Sequence, residues 1–253
     1  MKYFLIIALH LFLGLSILTI VSFKKQTIPP SQKPVTKNGF AVIELFTSEG
    51  CSSCPPADRV AADLQKEYPD NVFVLGFHVD YWDYIGWKDE FSSADFTKRQ
   101  RLYAVQFGLQ SIYTPQAVVN GREEFVGSDK SQLYKTVANE LSSTSANSNI
   151  TLNTGNVEKG NVWVNYTFNG KEKCLLNFAL VQLNANSDVK RGENQGRQLK
   201  HINIVRDFKT VEPTSGKINL TVPANLSAKD VKVIAFAQER NTLKILSAAS
   251  ASL

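Results

Sequence analysis

The chain has 253 residues, 43% of them hydrophobic and 20% charged, with a formal net charge of +5. That length and apolar fraction bury a real core without disulfide staples, and they allow one large domain or two ordinary ones. The positive balance is mild and the Lys and Arg residues are scattered, with no stripe interleaved with aromatics, so nothing supports nucleic-acid binding.

Lys2 precedes an apolar run from Tyr3 to Phe23, and Lys24 and Lys25 follow it. Residues 1–23 read as an export signal. The run is also long enough to cross a bilayer, so the alternative is an uncleaved signal anchor. The expected location is outside the cytoplasm, periplasmic or secreted, with a membrane tether through residues 3–23 if the signal is kept. Residues 24–38 hold Pro29, Pro30 and Pro34 among polar neighbours and read as a flexible tether.

Phe40 to Phe46 is a nearly continuous apolar run, the pattern of a strand covered on both faces, interrupted by Glu44. Pro55 to Tyr68 follows as a helix, with Ala57, Val60, Ala61, Leu64 and Tyr68 at helical spacing. Pro55 and Pro56 suit its first turn, where a missing N–H costs nothing. Val72 to Phe77 is a second buried strand, and strand, helix and strand make a right-handed parallel unit. A loop rich in aromatics runs from His78 to Phe91, and Asp95 to Phe107 is helical. Gln116–Val119 and Glu124–Val126 are short strands joined around Asn120-Gly121, a hairpin turn signal. Asp129 to Leu141 is a helix. Residues 39–141 thus form an α/β domain of order β-α-β-α-β-β-α.

The Ser/Asn-rich stretch 142–149 reads as a linker. Beyond it the period changes. Val162, Val164, Tyr166 and Phe168 alternate with polar residues, and strand-like runs recur at Leu175–Leu183, Ile202–Val205, Ile218–Val222, Val231–Gln238 and Leu243–Leu246. Residues 150–253 are expected to form a small all-β sandwich. Cys174 fits there as a small buried core residue.

The chemistry centres on Cys51-Ser-Ser-Cys54-Pro55. Two cysteines three apart at a strand-to-helix junction face each other across one turn, close enough for a disulfide. The free N–H groups and positive dipole end of the helix stabilise a thiolate there. Cys51 takes the role of exposed nucleophile and Cys54 that of resolving cysteine. In an oxidising compartment the pair tends to close. A structural zinc would need two more ligands, and there is no second CxxC. No cofactor is expected.

Glu44 lies seven positions before Cys51. It is either a proton shuttle with a pKa raised by burial, or an ion-paired strand residue. Thr114-Pro115 precedes the third strand. A cis bond would free backbone groups for a substrate strand, whereas a trans proline there is ordinary. His78, Asp80, Trp82 and Asp83 lie in the aromatic loop. They line a substrate groove, or pack the loop onto the core, or (His78 with Cys51 and Cys54) bind a metal. Arg191-Gly-Glu-Asn-Gln-Gly-Arg197 is either a sandwich loop or a loop that reaches toward the dithiol or a partner. His201 and Arg206 follow it without a physical basis for a catalytic role.

The element order, the CxxC at the first helix and Thr114-Pro115 before the hairpin resemble the thioredoxin superfamily. That likeness implies a cis Pro115 opposite the cysteines. Glu44–Asp58, Phe77–Asp89, Tyr113–Gln116, Val119–Gly121, Arg191–Arg197 and His201–Arg206 together resemble the secreted family catalogued as domain of unknown function 1223. Glu49 departs from the Gln expected before Gly-Cys. Its charge would raise the thiol pKa of Cys51, and Asp58 would act the same way, which favours a reducing or isomerising poise.

Three functions follow as expectations. The first is an exported thiol–disulfide oxidoreductase acting with a protein disulfide substrate or redox partner. The second is a non-enzymatic envelope binding module with a structural disulfide. The third is a copper-binding chaperone using Cys51, Cys54 and His78.

Overall fold

The computed structural model describes residues 39–143, 148–170 and 173–253. The expected signal, the tether and half of the expected linker (residues 144–147) lie outside the described residues. Eleven strands and three α-helices are present among them.

β1 (Ala41–Thr47) and β2 (Val72–His78) pair in parallel, and every residue of both is buried. This is the reason their sequences are unbroken apolar runs. α1 (Cys54–Glu67) crosses between them with Pro55 and Pro56 in its first turn. A short 3-10 helix, Asp80–Ile85, occupies part of the segment expected to be loop. α2 (Ala94–Phe107) starts at Ser93, whose hydroxyl accepts the Asp95 N–H. β3 (Gln116–Val119) and β4 (Glu123–Val126) form the hairpin, and Asn120 and Gly121 at its tip both have positive φ, as that turn demands. Gly121 is irreplaceable for a second reason: a Cβ there would lie 1.9 Å from the Leu243 carbonyl oxygen. α3 (Lys130–Ser142) ends the first half.

The second half supplies β5 (Asn149–Glu158), β6 (Asn161–Asn169), β7 (Cys174–Asp188), β8 (Gln198–Val211), β9 (Gly216–Thr221), β10 (Val231–Glu239) and β11 (Ile245–Ser252). β5 is absent from the expected strands because only Ile150 along it is fully buried, so its alternation is faint. β8 is much longer than the apolar run at 202–205, since polar side chains occupy both its ends.

The fold is the expected α/β class, a central mixed sheet plus a separate antiparallel sheet. The larger sheet has the order β11-β10-β7-β8-β2-β1-β3-β4, and the smaller the order β5-β6-β9. Four strands of the second half therefore continue the sheet of the first. The seam is a parallel contact of β2 with β8 at Gly76 and Ile204.

Three apolar clusters follow. One lies between the two sheets and includes Cys174, Phe178 and Leu220. One packs α1 and α3 on the first face of the larger sheet. The third covers the opposite face, with Phe46, Phe77 and Tyr103 of the first half and Val205, Ile234 and Phe236 of the second. β7 and β10 are buried on both faces, and this explains the unbroken apolar runs that precede the Gln in each.

Glu44 sits inside the third cluster. Its carboxylate accepts from Arg99 Nε, from Arg99 Nη2 at 2.9 Å and from the Tyr103 hydroxyl. Of the two readings of Glu44, the ion-paired arrangement is the one present. Arg99 also donates to Gln238 of β10 at 3.1 Å, and its guanidinium lies 4.7 Å from the Phe208 ring centroid and 5.5 Å from that of Phe236. Arg99→Met should cost about 3–5 kcal/mol in urea unfolding, because it strands a buried carboxylate. The double variant Glu44→Gln/Arg99→Met should recover part of the loss. A single-variant loss below about 1 kcal/mol would show that the pair does not tie the halves together.

Candidate functional site

β1 ends at Thr47, and the chain turns sharply before α1. The Cys51 N–H donates to the Ser48 carbonyl at 3.2 Å and the Cys54 N–H to the Cys51 carbonyl at 3.2 Å. This turn brings the two cysteines to a Cα–Cα distance of 5.4 Å, joined as a disulfide. Ser53 is the N-cap of α1, and its hydroxyl lies 3.3 Å from Cys51 Sγ. The Thr114–Pro115 peptide is cis. Gln116 pairs with Phe46, so Pro115 stands at the end of β1 where the cysteine turn begins.

Cys51 is only 1% exposed, and so is Cys54. The nucleophile was expected to be open to solvent, but a loop between β7 and β8 covers it. That loop closes on itself through Val189 N–H to the Arg197 carbonyl at 3.0 Å and Gly196 N–H to the Val189 carbonyl at 2.8 Å. Asn194, wholly buried, donates through Nδ2 to the Cys51 carbonyl at 2.9 Å and to the Glu49 carbonyl at 2.8 Å. The exposed Glu193 carboxylate accepts the Ser52 N–H at 3.0 Å, and this bond lowers its pKa. Gly192 has a positive φ, and a Cβ there would lie 2.7 Å from Ile85 Cδ1, so only glycine lets the loop seat on the 3-10 helix. Of the two readings of residues 191–197, the loop that reaches the dithiol is the one present.

Beneath the disulfide lies a buried cluster of charged groups drawn from both halves. His201 of β8 places Nδ1 3.1 Å from Asp58 and Nε2 3.6 Å from Glu49. Burial alone would lower the His201 pKa. The hydrogen bonds and charges of Asp58 and Glu49 outweigh it and raise the pKa to about 10. The imidazole is therefore protonated at neutral pH. Trp87 Nε1 donates to the other oxygen of Glu49 at 2.7 Å. Glu49 and Asp58 thus share one cation, which offsets part of their combined charge near the thiols.

His78 is buried too, with Nδ1 2.6 Å from Asp89 and its ring edge-on to His201 at 4.9 Å. Asp89 also accepts the N–H groups of Glu49 and Phe91 at 2.9 Å each. Burial pushes its pKa up, but the His78 imidazole and these bonds bring the net shift below the ordinary value.

The other expected groove residues are bound locally. Asp80 accepts from the Thr97 hydroxyl at 2.5 Å, and Asp83 accepts from the Ser92 hydroxyl at 2.8 Å and the Asp89 N–H at 3.2 Å. Trp82 Nε1 donates to the Thr114 hydroxyl at 2.8 Å, which ties the aromatic segment to the residue before Pro115. Glu44 has Arg99 and Tyr103 as partners, not the cysteines. Among the described residues no three His, Cys, Asp or Glu side chains are placed as a metal-ligand set. Asp89 and His201 carry no expected role beyond their place in a motif, and Asn194 and Arg197 none beyond the expected reach of the 191–197 loop. Their one local signal is a charged or amide side chain within an otherwise strand-like or glycine-rich run.

The family model described as "Protein of unknown function (DUF1223)" matches residues 42–238. The chain is 33% identical to a thioredoxin of Methanocaldococcus jannaschii over 85 residues, which is 34% of this chain and 76% of that protein. It is 26% identical to a "Probable Thioredoxin" of Methanothermobacter thermautotrophicus over 100 residues, 39% of this chain and 94% of that one. The crystal structure of protein AGR_C_4864 from Agrobacterium tumefaciens superposes with a TM-score of 0.64 at 27% identity, covering 83% of this chain and 92% of that chain.

Two outcomes follow from this geometry. A raised folded pKa means that the stability His201 contributes is complete below about pH 6.5 and is lost as the pH rises toward about 10, by up to about 1.4 kcal/mol per pH unit. His201→Gln should lower stability in urea unfolding near neutral pH and flatten that slope. An unchanged slope would mean that the proton lies elsewhere. Separately, Asn194→Ala should speed reduction of the Cys51–Cys54 disulfide by a small phosphine several-fold with the circular dichroism unchanged, and equal rates would show that the loop does not control access.

Proposed function

Starting from a chain that belongs to the DUF1223 family and has thioredoxins among its relatives, we propose that it is a thiol–disulfide oxidoreductase acting after export. The observation that carries this reading is the Cys51–Cys54 disulfide at the N-terminus of α1, on the sheet end that also bears the cis Pro115. In the reduced protein the Cys51 thiolate attacks one sulfur of a substrate disulfide. The other substrate sulfur leaves and takes a proton, and a mixed disulfide remains. The Cys54 thiolate then attacks Cys51 Sγ, the second substrate sulfur leaves, and the Cys51–Cys54 bond closes. Two electrons pass from dithiol to substrate, and a redox partner returns them. The same steps reversed oxidise a substrate dithiol.

Several residues support these steps without bearing electrons. The backbone of Thr114 beside Pro115 is the surface on which an extended substrate segment can pair. Trp82 holds Thr114 in place. The turn from Ser48 to Ser53 fixes the two sulfurs within bonding reach, and His201 offsets part of the charge of the carboxylates below them. The apolar run at residues 3–23 between lysines supports export, either as a cleaved signal or as a retained anchor.

The burial of both cysteines favours a second reading, a binding module in which the disulfide is structural. Insulin reduction in the presence of a thiol reductant separates the two. Under the first reading the wild type is active, Cys51→Ser falls to background, and Cys54→Ser accumulates a mixed disulfide on Cys51. A wild type inert across reductants and pH would leave the second reading.

A further inference from the structure

A groove beside the dithiol plays no part in the steps above. It runs between α1 and the start of β8 in two adjoining cavities. One, of about 530 Å³, reaches from Asp58 and Ala62 of α1 to His201 of β8. The other, of about 390 Å³, begins at Pro55, the residue after Cys54. Arg59, Gln198 and Lys200 line both. The groove therefore begins one residue beyond Cys54 and extends along α1 from Pro55 to Ala62. Seven residues of helix rise about 10 Å, the length of about three residues of extended peptide.

Its charge is one-sided. Arg59, Arg197 and Lys200 line it and are exposed, and the His201 cation lies in its wall. The carboxylate among the lining residues is that of Asp58, already bonded to His201. Arg59 and Lys200 have no hydrogen bond or ion pair to a side chain among the described residues, whereas Arg197 donates to Asn194 at 2.8 Å. Asn184 and Asn186 offer exposed amides along the same wall, of the kind that hydrogen-bond a peptide backbone, while Gln198 Nε2 donates to the neighbouring Asp188 carboxylate at 3.4 Å. Next to Cys51 the chain already places a carboxylate of its own, Glu193, on the Ser52 N–H.

We propose that this groove binds an acidic peptide segment of the protein whose disulfide meets Cys51, its carboxylates pairing with Arg59 and Lys200. The substrate identity rests on the oxidoreductase reading; the binding does not. A peptide is favoured over a compact anion by the length of the groove and its run of amides. It is also the occupant that can present a disulfide at the Pro55 end while its charges lie further along.

The test uses two peptides of equal length, a cysteine followed by three glutamates or by three lysines, each as the mixed disulfide with thionitrobenzoate. The reduced protein should release thionitrobenzoate from the acidic peptide on the order of tenfold faster, an advantage that shrinks as salt is added. Arg59→Ala/Lys200→Ala should remove the advantage and leave the rate with the basic peptide at least as high. Equal rates for the two peptides in wild type, or an advantage that survives in this variant, overturn the groove. Calorimetry with Cys51→Ser/Cys54→Ser and the serine form of the acidic peptide keeps the two readings apart. Binding there that depends on Arg59 and Lys200, with no exchange in wild type, sinks the oxidoreductase reading and keeps the groove. No binding sinks the groove. An oligonucleotide of equal charge that binds as tightly overturns the peptide as occupant.

Discussion

A carboxylate in the middle of a fully buried strand is the constraint on which this fold turns. Glu44 cannot be hydrated where it lies, so it requires a cation and hydrogen-bond donors in place. α2 supplies Arg99 and Tyr103, and the guanidinium in turn needs surroundings that tolerate it. It finds them in the rings of Phe77 and Tyr103 from the first half and of Phe208 and Phe236 from the second. Gln238 closes the network from β10, bonding Arg99, Tyr103 and Asn177. Such a pair contributes little net stability over an apolar replacement, yet it is costly to break. Its effect is to fix which surfaces meet.

That docking decides what surrounds the dithiol. Once β8 lies beside β2, its first residues stand behind α1, and the hairpin that leads into it arches over the cysteine turn. The buried cation under the disulfide and the amide that covers Cys51 therefore both come from the second half, while the sulfurs, Glu49 and Asp58 come from the first. The site is shared between two stretches of chain that separate patterns in the sequence assign to different domains. Its negative charge is partly offset, because His201 faces both carboxylates.

The frame was legible where local chemistry decides it. The buried strands, the proline-led helix and the Asn-Gly turn each carry their own signal, and each stands within a residue or two of its expected place. The dithiol was legible for the same reason, since its two members share one turn. The Asp80–Ile85 helical turn was hidden among aromatics that serve packing. β5 was hidden by its exposure, and the ends of β8 by their polar side chains. The partners of Glu49 could not be read at all: His201 lies 152 positions away (201 − 49), and no periodicity links them. Asn194 is likewise an ordinary loop residue until the hairpin is folded over Cys51. Burial of the nucleophile was misjudged because the cover is long-range while the cysteine turn is local.

The seam between β2 and β8 has a consequence for how the chain is made. Gly76 and Ile204 are 128 residues apart (204 − 76), so β2 is synthesised long before its outer neighbour exists. At ordinary elongation rates the interval is roughly 6 to 25 s. During that time an apolar strand presents a bare row of backbone donors and acceptors, the kind of edge on which nascent chains stick to one another. For the same reason, cutting the dithiol half away from the rest would leave β2 with an open edge where β8 now lies.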